Sequence, residues 1–530
     1  MTLLAVPIFG ESLDQIRNEL RTAVRLGADL IELRLDLMPT ITDDDVRTLC
    51  EEPHGDVLKL LTIRSASEGG QWSGIEGERV ARLVSIGPLF DYVDVELAAW
   101  RSLTEADRAA LSAAPRRGLV LSRHDCRGRP ATLEADLLRM LETTDCRVPK
   151  LAWSARTIRD SFEAFELMRL AAPGGGSPAG KPGILICMGD AGMMSRVLAK
   201  KFGAFATFAA LGAGRESAAG QITISDLKNR YRWDRIDTHT KVFGIIGDPV
   251  VHSLSPQVHN AAFEKTGLNA VYLPLHVSDS YEAFKAFLVE VLARPWLAFR
   301  GFSVTMPHKE NALRFLRETG GSVDPIATGV GAVNTLNLES DGSIAGHNTD
   351  YEGALSAITS GLNRADRALA GLKVAVLGAG GAARAVVAAL TDHGARVTVF
   401  NRTEEKGAAL AAEFGCAHAP WIDRPGSAAE LIVNCTSLGL GPETEASPLE
   451  DEGLRPGVTV FDTIYNPTRT RLLRMAEQRN CGTIDGLTMF SAQARAQFKA
   501  WTGRDLPADF FRNAALEGAA EPQGRRHTVD

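Results

Sequence analysis

The chain has 530 residues, of which 45% are hydrophobic and 23% are charged. This composition supports several globular units with cores of their own and excludes a disordered or fibrous chain. The net charge is -7 and no long run of Lys and Arg occurs, so the sequence gives no electrostatic footprint for nucleic acid or an anionic membrane. We therefore expect small-molecule partners, with no nucleic acid and no membrane.

Seven scattered cysteines form no Cys-x-x-Cys pair and no cluster with His at metal-ligand spacing, so we expect reduced thiols and no metal. The N-terminus runs from Met1 directly into the strand-like LLAVPIF, without the features of a presequence. No later segment of the sequence is apolar enough to span a bilayer. These observations predict a cytoplasmic protein.

Short apolar runs alternate with helix-patterned sequence in the first half, as in repeated βα units. The runs begin at Leu3, Asp29, Val57, Asp91, Gly118, Val148, Gly183 and Ala204. Eight parallel strands in about 225 residues predict a (β/α)8 TIM barrel, whose chemistry lies at the carboxyl ends of the strands. The segment APGGGSPAGKPG from Ala172 has the composition of a linker, but a boundary there would leave the barrel open. We interpret it as a flexible loop before strand seven.

Lys150 lies between apolar residues of the sixth run, VPKLAW. Burial disfavours the charged ammonium and would free the amine to attack a carbonyl carbon, whereas a lysine that extends to solvent is the alternative. His124 ends the neighbouring run and can move protons near neutral pH, with Glu68 as the group that orients its ring. For His124 the alternative is a hydrogen-bonded core residue.

These residues lie in the segments SRHD, VPKLAW and TIRSASEGG, which, with ELRLD before and ESAAGQ after, resemble type I 3-dehydroquinate dehydratase from about Leu3 to Lys228. The resemblance implies that Lys150 forms an imine with the substrate ketone, while His124, supported by Glu68, removes the adjacent proton and helps the hydroxyl leave as water. It also implies that substrate is held by Glu32, Arg34, Arg64, Arg196, Ser217 and Gln221. Arg196 is expected to hold a carboxylate, because a guanidinium binds it bidentately.

The polar segment DLKNRYRWDRIDTHT, which ends before Lys241, marks a domain boundary. Its basic residues alternate with aspartates, which favours a solvated helix end and linker over a nucleic-acid patch. Beyond it the runs KVFGIIG, AVYLPLHV and FRGFSVTM alternate with helical patterns from Pro256, Tyr281 and Pro307. This alternation predicts a compact α/β substrate domain that faces a cofactor domain across a cleft.

The stretch KVAVLGAGGAARA from Lys373 predicts a Rossmann nucleotide site, because its glycines fill the G-x-G-x-x-G/A turn between a strand and a helix. Gly-rich turns without a ligand are the alternative. The next strand ends in Asn401, Arg402 and Thr403, where an NAD site would have an acidic residue. A 2′-phosphate suits these residues better, so we predict NADP(H).

Four segments, HSLSPQVHN, SVTMPHKE, GAVNTL and GHNTDYEG, carry more polar side chains than their apolar settings need. Ser255 and Asp350 could each be a helix cap. Together with GAGGAAR and NRT, however, these segments resemble shikimate dehydrogenase from about Lys241 to Trp501. The resemblance implies that Lys309 and Asp350 are the catalytic pair. It implies substrate contacts from Ser253, Ser255, Thr305, Asn334, Asn348, Tyr465 and Gln493, and cofactor contacts from Gly378, Ala379, Gly380, Gly381, Ala382, Asn401, Arg402, Thr403, Thr436, Gly486 and Met489.

The sequence thus predicts a bifunctional enzyme that converts 3-dehydroquinate to 3-dehydroshikimate and then, with NADPH, to shikimate. Leu254 and Ser303 depart from the S-K-S-P and N-V-T motifs of the family, so a dehydratase fused to a quinate dehydrogenase is one alternative. A protein that keeps both folds but only senses these metabolites, without catalysis, is another. The predicted domains are a dehydratase over 1–228, a linker over 229–240, a substrate-binding domain over 241–345 and 485–505, an NADP-binding domain over 346–484 and a tail over 506–530. Oligomeric state, monomer or dimer, stays open.

Overall fold

The computed structural model describes residues 2–174, 180–250, 253–339, 341–362 and 369–520. Their contacts divide the chain into two compact units, one that ends at Thr240 and one that begins at Lys241. All seven cysteines lie in the described part and are free thiols. No helix within these ranges is long and apolar enough to cross a membrane.

The first unit is a parallel barrel. Its strands are β1 Leu3–Ile8, β2 Leu30–Arg34, β3 Leu58–Thr62, β4 Tyr92–Glu96, β5 Gly118–Asp125, β6 Cys146–Ser154, β7 Ile184–Met188 and β8 Ala206–Phe208. They pair in the order β7-β6-β5-β4-β3-β2-β1-β8. The Phe205 amide donates to the Gly183 carbonyl at 2.8 Å between the two end strands, so the barrel is nearly closed. The predicted (β/α)8 fold is confirmed.

Helices surround this barrel. They are α1 Leu13–Arg25, α2 Asp43–Glu51, α3 Glu76–Ile86, α4 Leu97–Ser102, α5 Glu105–Ala113, α6 Leu133–Glu142, α7 Asp160–Ala171, α8 Met193–Val197 and α9 Ile224–Asn229. We predicted a Gly-rich loop over residues 172–183, before strand seven, and its residues 175–179 lie outside the described residues.

The segment 229–240, predicted as a solvated linker, is instead folded against the barrel. Tyr231, Trp233 and Ile236 are buried within its polar sequence. Lys201 Nζ donates to the carbonyl oxygens of Thr238 and Thr240 at 3.1 and 2.8 Å. These contacts satisfy backbone groups that a linker would leave to water.

The second unit begins with a mixed sheet. Its strands are β9 Lys241–Gly247, β10 Ala270–His276, β11 Phe299–Val304, β12 Ser322–Val323, β13 Thr335–Leu338 and β14 Ile344–His347, and its helices are α10 Ser255–Lys265, α11 Tyr281–Leu292, α12 Lys309–Thr319 and α13 Pro325–Val330. The strand order is β10-β9-β11-β13-β14-β12, with β13 antiparallel to both neighbours. Because β14 ends at His347, this sheet extends past residue 345, the limit that we predicted for the domain.

The nucleotide-binding sheet follows helix α14 Thr349–Gly361. Its elements are β15 Lys373–Leu377, α15 Gly381–Asp392, β16 Arg396–Asn401, α16 Glu404–Glu413, β17 Ala417–Pro420, β18 Leu431–Asn434, β19 Thr459–Asp462, α17 Arg471–Gln478 and β20 Gly482–Ile484. The strands are parallel in the order β17-β16-β15-β18-β19-β20. This is the doubly wound order that places a dinucleotide beside the central strands, so the predicted Rossmann fold is confirmed.

Two further helices complete the second unit, α18 Gly486–Thr502 and α19 Ala508–Ala520. The predicted tail from residue 506 is therefore wrong over α19, which packs on α10 and α18. The Phe511 ring is fully buried at 5.9 Å from the Phe498 ring, edge to face. Residues 521–530, the rest of the predicted tail, lie outside the described residues.

Replacing Phe511 with alanine is expected to lower the free energy of unfolding of this unit by about 3–5 kcal/mol, because the buried ring would leave a cavity. The matched change Leu516→Ala, on a side chain that is 41% exposed, should cost under about 0.5 kcal/mol. Urea unfolding of both variants measures the difference. Equal destabilisation by the two changes would contradict a docked helix.

Candidate active sites

Polar side chains replace apolar ones halfway along the barrel interior. Leu30, Leu60, Tyr92, Val120 and Val148 form one buried apolar layer. Because side chains two residues apart on a strand share a face, the next inward layer follows directly from the sequence. Its polar members are Glu32, Thr62, Asp94, Ser122 and Lys150, all buried. A charged cluster thus lies toward the carboxyl end of the strands, where barrels of this kind carry their chemistry.

Lys150 is the cation of this layer and is 3% exposed. Its Nζ donates to Asp94 Oδ2 at 2.7 Å, lies 3.5 Å from Glu32 Oε1 and is 4.9 Å from the centre of the Phe208 ring. Burial alone would raise the pKa of the Asp94 carboxyl, but the charges of Lys150 and Arg64 hold that pKa below its ordinary value. The amine is buried as we predicted, but it has a carboxylate partner that we did not assign.

His124 lies at the end of β5 and contacts Glu68 twice. Glu68 Oε2 accepts from the His124 backbone N–H at 2.8 Å and lies 3.1 Å from its Nδ1. Nε2 of His124 is buried and has no hydrogen-bond partner among the described residues. Burial and the positive charges of Arg64 and Lys150 lower the pKa of His124 well below its ordinary value. The neutral ring therefore presents a free nitrogen to the cavity, with Nδ1 oriented by Glu68.

The Glu68 carboxyl is also perturbed. Burial, with the nearby Glu96 carboxylate, raises its pKa to about 8. Glu96 itself is fixed, because it accepts from the Ser65 amide at 2.8 Å and pairs with the buried Arg79.

The cavity around Lys150 collects most of the predicted substrate ligands. Its lining includes Glu32, Arg64, His124, Arg196, Ser217 and Gln221. Arg196 makes only long contacts, 3.4 Å each, to the carbonyl oxygens of Phe208 and Ala219, and its Nε has no partner among the described residues. A buried guanidinium of this kind suits an anionic ligand. Burial lowers the pKa of Arg196 to about 10.

Arg34 does not line this cavity. Its guanidinium binds Asp36 bidentately at 2.9 and 2.8 Å, and both side chains are buried. The structure therefore gives Arg34 an internal partner, where we predicted a substrate contact.

The second site lies in a cleft of the second unit. Lys309 begins α12 and its Nζ lies 2.5 Å from Asp350 Oδ2 in the first turn of α14. Residues from the helices and loops around the two sheets line the same cleft, including Ser255, Thr305, Lys309, Asp350, Ala382, Tyr465, Gly486, Met489 and Gln493. A cation held by a carboxylate beside a cleft can stabilise and protonate an oxygen that gains negative charge.

Three predicted substrate ligands are engaged by the protein itself. Asn348 caps α14 by accepting from the Tyr351 amide at 3.1 Å and also donates to the Ala332 carbonyl at 2.8 Å, away from the cleft lining. Asn334 donates to Gln493 Oε1 at 3.1 Å, next to the cleft. Ser253 Oγ accepts from the Ser255 amide at 3.2 Å.

A polar chain in the floor of the cleft was not predicted. The Tyr272 hydroxyl donates to Ser303 Oγ at 2.6 Å, and Ser303 donates to Gln497 Oε1 at 2.9 Å. Burial raises the pKa of Tyr272. Gln497 lies one helical turn beyond the predicted Gln493, and this spacing could have indicated that it reaches the same cleft.

The glycine turn between β15 and α15 fits a nucleotide. Gly378 has φ +113°, and an added Cβ would lie 2.9 Å from the Cys435 carbonyl, so only glycine fits there. At Gly380 nothing lies within 4 Å of an added Cβ, which leaves the backbone open to a ligand. A Cβ on Gly381 would lie 3.2 Å from Lys309 Cδ, so the turn adjoins the cleft that contains Lys309. Arg384 points away, donating to the Val330 carbonyl at 2.8 Å.

The end of β16 lies beside the glycine turn, where the Gly378 amide donates to the Phe400 carbonyl at 2.8 Å. Asn401 donates to the Thr403 carbonyl at 2.7 Å and so fixes the turn that exposes Arg402. Within the described ranges Arg402 forms no ion pair, so its charge is available to a phosphate. Thr436 donates to Asn434 Oδ1 at 2.7 Å, and Met489 is buried in the core beside the cleft.

The chain matches four family models. They are Type I 3-dehydroquinase over residues 4–238, Shikimate dehydrogenase substrate binding domain over 245–336, Shikimate / quinate 5-dehydrogenase over 362–434 and Shikimate 5′-dehydrogenase C-terminal domain over 486–516.

Known proteins match the same regions. The chain is 36% identical over 529 residues to the Bifunctional 3-dehydroquinate dehydratase/shikimate dehydrogenase, chloroplastic, of Arabidopsis thaliana, covering 96% of this chain and 83% of that protein. It is 40% identical over 288 residues to the Shikimate dehydrogenase (NADP(+)) of Methanosarcina acetivorans, covering 52% of this chain and 98% of that protein. A solved Shikimate 5-Dehydrogenase from Thermus thermophilus, in complex with NADP(H) and shikimate, is 38% identical over 52% of this chain and 99% of its own, with a TM-score of 0.47.

Proposed function

We infer the roles of individual residues from the premise that this chain belongs to the bifunctional 3-dehydroquinate dehydratase/shikimate dehydrogenase family. It dehydrates 3-dehydroquinate to 3-dehydroshikimate and reduces that product to shikimate with NADP(H). The observation that carries the residue assignment is the presence of two differently placed lysines. Lys150 lies in a buried cluster beside an unpartnered His124 nitrogen, and Lys309 lies in an open cleft beside Asp350.

In the barrel, Lys150 attacks the ketone carbon of 3-dehydroquinate and forms an imine with loss of water. The amine must first give up a proton, and Asp94 Oδ2 at 2.7 Å is the nearest acceptor. The protonated imine withdraws electrons from the adjacent carbon, so its proton becomes acidic enough for a neutral imidazole to remove.

His124 Nε2 takes that proton and returns it to the departing hydroxyl, which leaves as a second water. Glu68 holds Nδ1 and the His124 amide, so the free lone pair stays directed into the cavity. Hydrolysis of the imine then uses one water and releases 3-dehydroshikimate. Throughout, Arg196 holds the substrate carboxylate.

When bound in the cleft, NADPH would supply the hydride that reduces the ketone. Lys309 donates a proton to the ketone oxygen as negative charge develops there. Asp350 holds the Lys309 ammonium at 2.5 Å and directs it toward the ketone oxygen. Ser255, Thr305, Tyr465 and Gln493 surround the substrate ring from the cleft walls.

Arg402 is assigned to the cofactor 2′-phosphate. Replacing it with serine is expected to lower kcat/KM for NADPH about 10- to 100-fold, since a charge-assisted hydrogen bond contributes roughly 1.5–3 kcal/mol. The value for NADH should stay near that of the unaltered enzyme. The control Arg479→Ser removes an exposed arginine that pairs with Asp451 elsewhere in the same domain. Equal losses with NADPH and NADH would contradict the assignment.

A coupled assay tests the whole proposal. Purified protein receives 3-dehydroquinate and NADPH, and shikimate formation is followed together with the loss of NADPH. Both 3-dehydroshikimate and shikimate should form. Oxidation of quinate with NAD+, without formation of shikimate, would favour a quinate dehydrogenase instead. A cytoplasmic location stays a prediction from the cysteines, the N-terminal sequence and the lack of an apolar span, and the plant relative is named as chloroplastic. The lack of nucleic-acid or membrane partners stays a prediction from charge.

A further inference from the structure

One buried carboxylate, that of Asp462, joins the loop after β18 to the loop after β19. Asp462 ends β19, next to Asn434 at the end of β18, and both side chains are 0% exposed. These carboxyl ends lie at the edge of a doubly wound sheet where dinucleotides bind. Asp462 is not among the residues that line the cleft, so it is not one of the substrate-contacting residues of the reaction proposed above.

Asp462 accepts three hydrogen bonds from three different parts of the chain. Oδ1 accepts from Asn434 Nδ2 at 2.9 Å and from the Ile464 amide at 3.1 Å. Oδ2 accepts from the Thr470 hydroxyl at 2.6 Å. Asn434 in turn accepts from the Thr436 amide and hydroxyl at 2.9 and 2.7 Å. The carboxylate therefore ties the loop after β18 to both ends of the loop after β19.

The second of these loops forms part of the reaction cleft. Thr463 and Tyr465 line the cleft directly. A Cβ on Gly486 would lie 2.4 Å from the Ile464 carbonyl, so the same loop presses on the start of α18, which carries Met489. Displacement of this loop would therefore move several cleft walls together.

Nothing cationic balances the charge of Asp462 in the described part of the chain. Strand β18 itself carries no titratable side chain, and Cys435, which directly follows it, has a pKa raised by burial and by the Asp462 charge. The segment of β20 is Gly482–Ile484 and carries no titratable side chain. The nearby arginines of α17 bind other carboxylates, Arg471 with Glu450 and Arg474 with Glu445. Three neutral donors alone hold this carboxylate.

We propose that Asp462 is a positioning residue for ketone reduction, which fixes the loop bearing Thr463 and Tyr465 so that substrate and nicotinamide meet in reacting geometry. The inference rests on the proposed reductase function. It adds a pH dependence, since burial, opposed by the Thr470 hydrogen bond, raises the pKa of Asp462 to about 6. Protonation of Asp462 would place a hydrogen on one carboxyl oxygen, opposite a group that itself donates a hydrogen. The loop would then lose one of the hydrogen bonds that fix it.

The test is Asp462→Asn in the full chain. At pH 8 its kcat/KM for reduction of 3-dehydroshikimate by NADPH should fall about 10- to 100-fold, as expected for a displaced reacting geometry. Dehydratase activity of the same chain should be unchanged and serves as an internal control. Asp451→Asn, an exposed aspartate of the same domain, should keep both activities.

The ratio of the reductase kcat/KM of the unaltered enzyme to that of the Asp462→Asn variant distinguishes a positioning role from a loss of structure. Other titrating groups cancel in this ratio, which should shrink as the pH falls below about 6, because the unaltered carboxyl then becomes neutral like the amide. A ratio that does not change with pH, or full activity of the variant at pH 8, would overturn the proposal. An unaltered enzyme without reductase activity would instead contradict the proposed function.

A second pair of variants covers poor folding of Asp462→Asn. Thr470→Val removes the donor to Oδ2 and should lower the reductase kcat/KM, whereas Thr470→Ser keeps the hydroxyl and should restore it. Equal reductase activity of these two variants would also overturn the proposal.

Discussion

Replacing Lys150 with alanine is expected to abolish dehydration of 3-dehydroquinate, with a loss in kcat of at least about 10⁴-fold. NADPH-dependent reduction of 3-dehydroshikimate by the same chain should continue, because the cleft of the second unit has its own lysine. The loss is large because no other buried lysine among the described residues lines the barrel cavity. Without the imine, the proton that His124 must remove is far less acidic.

Covalent trapping measures the same prediction directly. Borohydride added with 3-dehydroquinate should reduce the imine and leave ligand mass on the peptide that contains Lys150. The control Lys181→Met removes a lysine of the same unit that, among the described residues, donates to the carbonyl oxygens of Leu141 and Thr143. Ligand mass trapped on the Lys150→Ala variant, or no trapped mass on the Lys181→Met control, would contradict imine formation by Lys150.

The sequence predicted the barrel because each strand is a short apolar run. Such a run can be recognised from its own consecutive residues, without knowledge of what it packs against. The pairing of Lys150 with Asp94 could not be predicted in this way. The two lie on β6 and β4, which are separated by β5, so their contact crosses the barrel interior and depends on closure of the sheet. The pair Arg34 and Asp36 is local in sequence, but Asp36 lies in the 3-10 turn Leu35–Leu37 that follows β2, so the alternation of side chains along a strand does not predict it.

Other departures from prediction have the same origin in non-local contacts. Trp233 is buried because it meets the barrel surface and the Lys200 ammonium at 4.9 Å, whereas its neighbours in sequence are charged. Strands β12, β13 and β14 span 2 to 4 residues, which is too short for a periodic signal. Helix α19 departs from the predicted tail because Phe511, Ala514 and Ala515, spaced to share one helical face, are buried. The segment without a hydrophobic pattern, EGAAEPQGRRHTVD, begins at Glu517.

Replacing Lys309 with alanine is expected to lower kcat for reduction of 3-dehydroshikimate by about 10³-fold, with dehydratase activity unchanged. A general acid contributes about 10²–10⁴-fold, and this residue supplies both the proton and the nearby positive charge. Steady-state loss of NADPH, with shikimate measured as product, gives the value. Lys285→Ala, an exposed lysine of the same lobe that pairs with Glu318, should leave kcat unchanged.

The partner of Lys309 sharpens this test. Asp350→Asn alone should also lower kcat, because it leaves the ammonium without the carboxylate that directs it at 2.5 Å. If the two side chains act as one unit, the double variant should lose little more than Lys309→Ala alone, since the second change removes a group that has already lost its partner. If the fold loss of kcat in the double variant equals the product of the two single losses, Asp350 acts on the substrate independently of Lys309. The ion pair would then be a consequence of packing.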